Sequence, residues 1–412
     1  MGPVCQPRGV ELVQSRKLAT VTYDIRGPLL AEARRMEDQG RQILKLNIGN
    51  PAHFGFAAPE EILVDVVRHL GQAQGYSDSH GIMSARTAIV QHYQTFGIDA
   101  DVDDIWLGNG VSELISMVMQ GMLDAGDEVL IPAPDYPLWT ASTSLAGGEP
   151  AHYRCDESQD WAPDLEDLEA KISDRTKAIV VINPNNPTGA VYPRAALDRI
   201  AELARRHGLV VLADEIYDKI LYDDATHTPF AAIAPDVLTL TLNGLSKAYR
   251  LAGFRSAWLM VTGPKQHAAD YLEGIEILAN LRLCANVPGQ FAVQTALGGR
   301  QSIRDLVLPG GRLLEQRDAA VAALREIPGV SVVEPRGAMY VFPRFDPEMY
   351  RIEDDEAFVM DFLRRHQVLV IQGTGFNWPT PDHLRIVTLP EPAVLTEAIG
   401  RLGEFCAAYR AG

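Results

Sequence analysis

The chain has 412 residues, 47% of them hydrophobic and 22% charged, an ordinary soluble composition at a length that favours two domains over one. A net charge of −17 argues against nucleic acid as a partner, because neutralising phosphates takes clustered Lys and Arg. No stretch reaches the roughly eighteen apolar residues of a membrane span, the first residues lack a signal peptide's charged and apolar regions, and neither Cys5, Cys155, Cys284 and Cys406 nor the ten histidines show metal-ligand spacing, which together predict a cytoplasmic, metal-free protein with reduced thiols.

Residues up to about Ser15 read as a mobile arm. In Tyr23-Asp24-Ile25-Arg26-Gly27-Pro28 the proline suits a first helical turn, and the apolar period continues to Met36. Ile43–Ile48 reads as a short strand running into Gly49-Asn50-Pro51, a turn whose bare backbone can approach a ligand. An amphipathic helix follows over Glu60–Leu70. Next come a polar loop, Gly75–Gly81, that contains Tyr76, and a helix over about Ser84–Thr95.

From there strands and helices alternate. Strands are predicted at Ile105–Leu107, Glu128–Ile131, Ala178–Ile182, Leu209–Ala213, Val237–Leu242 and Ala257–Val261, with helices over Ser112–Leu123 and Arg194–Arg206. Near-continuous apolar runs alternating with helices predict an α/β fold whose mostly parallel sheet is sandwiched by helices. In such sheets ligands sit outside the carboxyl ends of the strands. Beyond Leu308-Pro309-Gly310-Gly311 the strands are shorter, at Val330–Val333, Met339–Phe342 and Leu384–Val387, and predict a smaller α+β domain. The expected division is a large domain over 58–305 and a small one from 1–57 and 306–412.

The polar clusters gather at the strand ends. Gly108-Asn109-Gly110-Val111-Ser112-Glu113 follows a strand and opens a helix; Glu113 breaks a dinucleotide fingerprint, but free N–H groups and the helix dipole suit a single phosphate. Tyr136, between prolines, can stack on a flat ring or pack as an ordinary half-buried tyrosine. Asn186, in Asn183-Pro184-Asn185-Asn186-Pro187-Thr188-Gly189, offers a donor and an acceptor, or belongs to a structural turn. Asp214 either pairs with a pyridinium N–H or caps a helix. Tyr217, three residues on, reaches the same side of a helical turn or packs there.

The strand ending at Leu242 presents Lys247, with Arg255 eight residues later. Partial desolvation makes such a lysine a nucleophile toward an aldehyde, and a guanidinium fork matches phosphate oxygens. Together they meet the demand that pyridoxal phosphate makes of a protein. Arg385, a charge within an apolar strand, needs a partner, either a substrate α-carboxylate or a structural Asp or Glu.

The order Gly49, Tyr76, Gly110-Val111-Ser112, Tyr136, Asn186-Pro187-Thr188-Gly189, Asp214-x-x-Tyr217, Lys247, Arg255 and Arg385 resembles the fold-type I, class I/II pyridoxal-phosphate aminotransferases over nearly the whole chain. Tyr-Asp-Ile-Arg-Gly-Pro (23–28), Asn-Ile-Gly-Asn-Pro-Ala (47–52), Asp-Glu-Ile-Tyr-Asp-Lys-Ile-Leu-Tyr-Asp-Asp (214–224) and Phe-Asn-Trp-Pro (376–379) are similar to the bacterial glutamate–pyruvate (alanine) aminotransferases.

The resemblance implies that Lys247 holds pyridoxal 5'-phosphate and shuttles a proton, and that Asp214 pairs with the ring nitrogen. Asn186 and Tyr217 bond the ring oxygen and Tyr136 stacks on the ring. Gly110, Val111, Ser112 and Arg255 bind the phosphate, with Tyr76 reaching across from the second subunit of a homodimer. Arg385, with Asn186 and the backbone of Gly49, holds the substrate α-carboxylate. One departure is Gly244, where many relatives carry a phosphate-binding serine; Ser246 is expected to take over part of that role.

The implied reaction is L-alanine plus 2-oxoglutarate giving pyruvate plus L-glutamate. Arg26, on a turn before a helix, is expected to receive the distal carboxylate of glutamate or to be a surface arginine. The alternatives are an aminotransferase for aspartate, branched-chain amino acids or a biosynthetic precursor, or a β-lyase on the same scaffold.

Overall fold

The computed structural model describes residues 12–18, 21 and 27–411. The first strand, β1 (Leu44–Lys45), belongs to a small layer described below. The main sheet takes β2 (Ile105–Gly108), β3 (Glu128–Ala133), β4 (Glu149–Asp156), β5 (Ala162–Pro163), β6 (Thr176–Ile182), β7 (Val210–Asp214), β8 (Thr239–Gly244) and β9 (Ala257–Thr262), in the spatial order β2-β9-β8-β7-β6-β3-β4-β5. Strands β8, β7, β6, β3 and β4 are mutually parallel, and β9 runs against both of its neighbours. The mostly parallel α/β sheet expected from the alternating pattern is present.

Alternation along β6 explains its continuous apolar run. Ala178, Val180 and Ile182 join one core cluster with Leu212 and Leu242, whereas Ile179 and Val181 join the cluster on the opposite face. The helix Val111–Met122 seals the first face with Leu114, Ile115, Val118 and Met119. The helix Arg194–His207 seals the second with Leu197, Ile200, Ala201 and Ala204.

Strand β4 was not legible in advance. Its sequence, Glu-Pro-Ala-His-Tyr-Arg-Cys-Asp, lies near the sheet edge and leaves most positions partly exposed, so no apolar run marks it.

The smaller layer contains β10 (Val330–Ser331), β11 (Tyr340–Val341), β12 (Arg344–Phe345), β13 (Val368–Leu369), β14 (Ile371–Gln372) and β15 (Leu384–Val387). Antiparallel pairing gives the order β11-β15-β14, β10 pairs with β12, and β1 lies parallel to β13. Predicted strands here shrink to two-residue ladders, except Leu384–Val387, which keeps its predicted bounds. Among the described residues no helix is long and apolar enough to cross a membrane.

Candidate active site

Register brings the strand ends together: Ile182 pairs with Asp214 and Asp214 with Leu242, across β6, β7 and β8. Adjacent strands lie about 4.8 Å apart, so the loops carrying Asn186, Asp214 and Lys247 leave the sheet side by side. They open into a cavity of about 580 Å³, whose walls include Gly49, Val111, Ser112, Tyr136, Asn186, Asp214, Tyr217, Ser246, Lys247, Arg255 and Arg385. Eleven of the residues singled out from the sequence thus share one cavity.

At its floor Asp214 is 2% exposed. Its Oδ2 accepts from Trp139 Nε1 at 3.1 Å and its Oδ1 from the Ile216 amide at 3.4 Å. Burial pushes the carboxyl up to about 6, against the pull of those two donors. A carboxylate held in this way gains from a cationic N–H partner in the cavity. Lys247 Nζ donates to the Gly49 carbonyl at 2.8 Å and stands 5.8 Å over the Tyr217 ring.

A second corner suits an anion. The helix Val111–Met122 points its first residues, Val111 and Ser112, at the cavity, facing Ser246 and Arg255. Glu113 turns away and bonds the Asn109 amide at 2.7 Å. Arg255 donates from Nη1 to Ala252 O at 2.8 Å and from Nη2 to Asn109 O at 3.1 Å. Gly110 itself lies behind this guanidinium. Its φ is +87°, and a Cβ would stand 1.9 Å from Arg255 Nη2, so the position favours glycine. At Gly244, which pairs with Ala257, a Cβ would lie 2.8 Å from the Ala257 Cβ. Ser246, not position 244, is the residue that reaches the cavity wall.

The third corner holds Arg385, 2% exposed on β15. Its Nη1 donates to Asn186 Oδ1 at 3.0 Å and its Nη2 to the Asn47 carbonyl. The guanidinium lies between the rings of Tyr340, at 4.6 Å, and Phe376, at 4.4 Å. Neither of these two acceptors is a carboxylate. Asn185 ties the preceding turn together through Thr188, its Oδ1 accepting from Thr188 Oγ1 at 2.8 Å, which leaves Asn186 to face the cavity.

Tyr76 is 81% exposed and does not line this cavity. Arg26 lies outside the described residues. Sequence reasoning missed two contributors. Trp139 supports Asp214 from a helix, Leu138–Ala146, that carried no warning signal. Tyr340 lines the cavity from β11, and its hydroxyl would lie 2.4 Å from a Cβ at Gly49. A phenol within an otherwise apolar strand, Met339–Phe342, was the available clue.

A flat, cationic heteroaromatic ring bearing a phosphate fits these corners: Asp214 for the cation, Tyr136 for the ring face and the Val111–Arg255 corner for the anion. Lys247 and Arg385 line the same cavity.

Comparison with known proteins follows the same line. Residues 41–402 match the family described as aminotransferase class I and II. The alanine aminotransferase of Mycobacterium tuberculosis (strain H37Rv) is 64% identical over 399 residues, covering 96% of this chain and 93% of that protein. The glutamate-pyruvate aminotransferase AlaA of Escherichia coli (strain K12) is 59% identical over 397 residues, covering 96% and 98%. A crystal structure of an aminotransferase from Escherichia coli superposes with a TM-score of 0.96 at 59% identity, covering 97% of this chain and 100% of that one. The alanine aminotransferase of Pyrococcus furiosus superposes with a TM-score of 0.92 at 36% identity, covering 96% and 100%.

Proposed function

The chain belongs to the class I and II aminotransferases, and from that premise we propose that it transfers the amino group of L-alanine to 2-oxoglutarate, giving pyruvate and L-glutamate, with pyridoxal 5'-phosphate as cofactor. The observation that carries this reading is that Lys247, Asp214 and Arg385 share one cavity with a helix N-terminus and Arg255. Relatives at 59–64% identity whose names specify alanine or glutamate-pyruvate transamination support the substrate pair.

When bound, the cofactor supplies an aldehyde for the amine and a protonated ring that draws electrons from the substrate's Cα–H bond. Asp214 would accept from the ring N–H, a pairing that favours its ionised form. Asn186 and Tyr217 would hold the ring oxygen and Tyr136 a ring face. Gly110, Val111, Ser112, Ser246 and Arg255 would hold the phosphate. Lys247 Nζ would take the proton from the substrate Cα and deliver it to the carbon that carries the cofactor's aldehyde, acting as base and then acid. Arg385 holds the α-carboxylate with Asn186 and the Gly49 backbone.

The functional unit of this reading is a homodimer in the cytoplasm, with Tyr76 offered across the interface, and its domains divide as 58–305 against 1–57 with 306–412. The high exposure of Tyr76 supports its place at an interface, and the free thiols of Cys155, Cys284 and Cys406 support a reducing compartment. Borohydride reduction of the cofactor-loaded protein should label Lys247, and a screen of amino acids should turn over alanine and glutamate fastest. Labelling elsewhere, or release of ammonia from β-substituted substrates in place of transfer, would overturn the proposal.

A further inference from the structure

His383 stands two residues before Arg385 in the same extended segment, so the two side chains share a face. The imidazole is 0% exposed. It stacks on Phe342 at 4.8 Å, with Trp161 and Trp378 edge-on at 5.3 Å each. Its Nδ1 lies 2.7 Å from Asp382 Oδ1, and its Nε2 faces Glu157 Oε1 at 3.6 Å. Glu157 belongs to the turn that follows β4 of the main sheet, whereas Asp382 and His383 lead into β15 of the smaller one. The only other charged side chain paired with these carboxylates among the described residues is Arg344 of β12, 3.3 Å from Asp382 and 3.6 Å from Glu157. A chain of rings then runs to the cavity. Phe342 meets Phe376 at 6.2 Å, and Phe376 lies 4.4 Å from the Arg385 guanidinium.

We propose that His383 is a positioning residue for substrate binding: as an imidazolium between Asp382 and Glu157, it fastens β15 to the end of β4 and thereby fixes where Arg385 presents its guanidinium. The inference rests on the reading of Arg385 as the carboxylate-binding residue. Two carboxylates, one from each sheet, face an imidazole that water does not reach: Asp382 within hydrogen-bond distance and Glu157 at ion-pair distance, and only the doubly protonated ring turns an N–H toward each. A neutral ring turns a lone pair toward one of them.

The direction with pH follows. Burial by itself would push the imidazole down, but Asp382 and Glu157 outweigh it and push His383 up, while Asp382 is held far below the usual carboxylate range despite its own burial. A histidine raised in the folded state contributes fully at low pH, and its contribution disappears as pH rises through the raised value. The joint is therefore fastened at low pH and loosens as pH rises through that raised value.

The test uses the full-length holoenzyme and succinate, a dicarboxylate that carries no amino group to transfer. Calorimetric succinate affinity and tryptophan emission, to which Trp161 and Trp378 report on His383, are followed from about pH 6 to pH 10. Affinity should fall through the same midpoint as the emission change. Glu157→Gln should move both midpoints to lower pH and weaken binding about three- to tenfold at a pH between the wild-type and shifted midpoints. His383→Gln should bind weakly at every pH and lose the emission change. Should that variant fail to fold, Glu157→Gln, altered at a partly exposed position, carries the test. A shifted emission midpoint with unchanged succinate affinity would overturn the positioning role, and so would no shift in either. Arg385→Gln is the control: if it leaves succinate affinity intact, the assignment of Arg385 fails, independently of the joint.

Discussion

The hydroxyl of Tyr340 lies 2.7 Å from that of Tyr217, while its ring packs 4.6 Å from the guanidinium of Arg385. One side chain of the small layer thus touches both the cofactor side and the carboxylate side of the cavity. Tyr340→Phe removes the first contact and keeps the second. We expect kcat/KM to fall by about tenfold, from the loss of a buried hydrogen bond worth about 1–1.5 kcal/mol. The drop should be in kcat, with KM little changed in steady-state kinetics; a KM effect alone would contradict the division.

Asp214 releases its proton near 3.8 when unfolded and near 6 in the fold, because it is buried. Between those values the folded chain binds more protons than the unfolded one, so cofactor-free stability falls as pH rises and levels off above about 6. Asp214→Asn should remove that slope and stabilise the cofactor-free protein at pH 7 by on the order of 3 kcal/mol, read in denaturant melts at several pH values. The same variant should lose at least about a hundredfold in kcat, since a neutral amide cannot sustain a ring cation.

Gly110→Ala inserts a methyl group where the Arg255 guanidinium stands, at a backbone angle of φ +87°. Since Arg255 is the end of a flexible side chain, the fold should survive with a backbone strain of about 1–2 kcal/mol. Cofactor affinity should weaken by about tenfold or more as the guanidinium loses its seat on Asn109 O. Equilibrium dialysis measures this, and an unchanged dissociation constant would refute it.

Asn377, in the Phe-Asn-Trp-Pro stretch, donates to the buried carboxyl of Asp135 at 2.7 Å, next to Tyr136, and burial pushes that carboxyl up to about 7. The bond ties the small layer to the end of β3. Asn377→Ala should cost about 1–3 kcal/mol, seen as a lower melting temperature, and should push Asp135 higher still. An unaltered melt would show that water replaces the amide.

Lys247, Asp214 and Asn186 were legible because each follows a long apolar run, where a polar residue at a strand end stands out against its neighbours. Arg385 was legible as a charge inside such a run. Trp139 was not, since a buried indole on a helix looks the same whether or not its N–H has a functional partner. The distinct role of Gly110 was hidden too: the motif pointed to the anion corner, but only coordinates show that the missing Cβ makes room for Arg255. His383 carried no periodic signal: one partner, Asp382, is its chain neighbour, and the other, Glu157, lies far off along the chain.

The pairing of Leu44 with Val368, in the two-strand ladder of β1 and β13, bears on how this protein is made. During synthesis the stretch around residue 44 leaves the ribosome long before its partner is translated, and the contact cannot form until the chain is nearly finished. The main sheet, whose neighbouring strands lie closer in sequence, is free to assemble first. The small layer is thus a late assembly step, and nascent chains halted before residue 368 should remain sensitive to protease near residue 44.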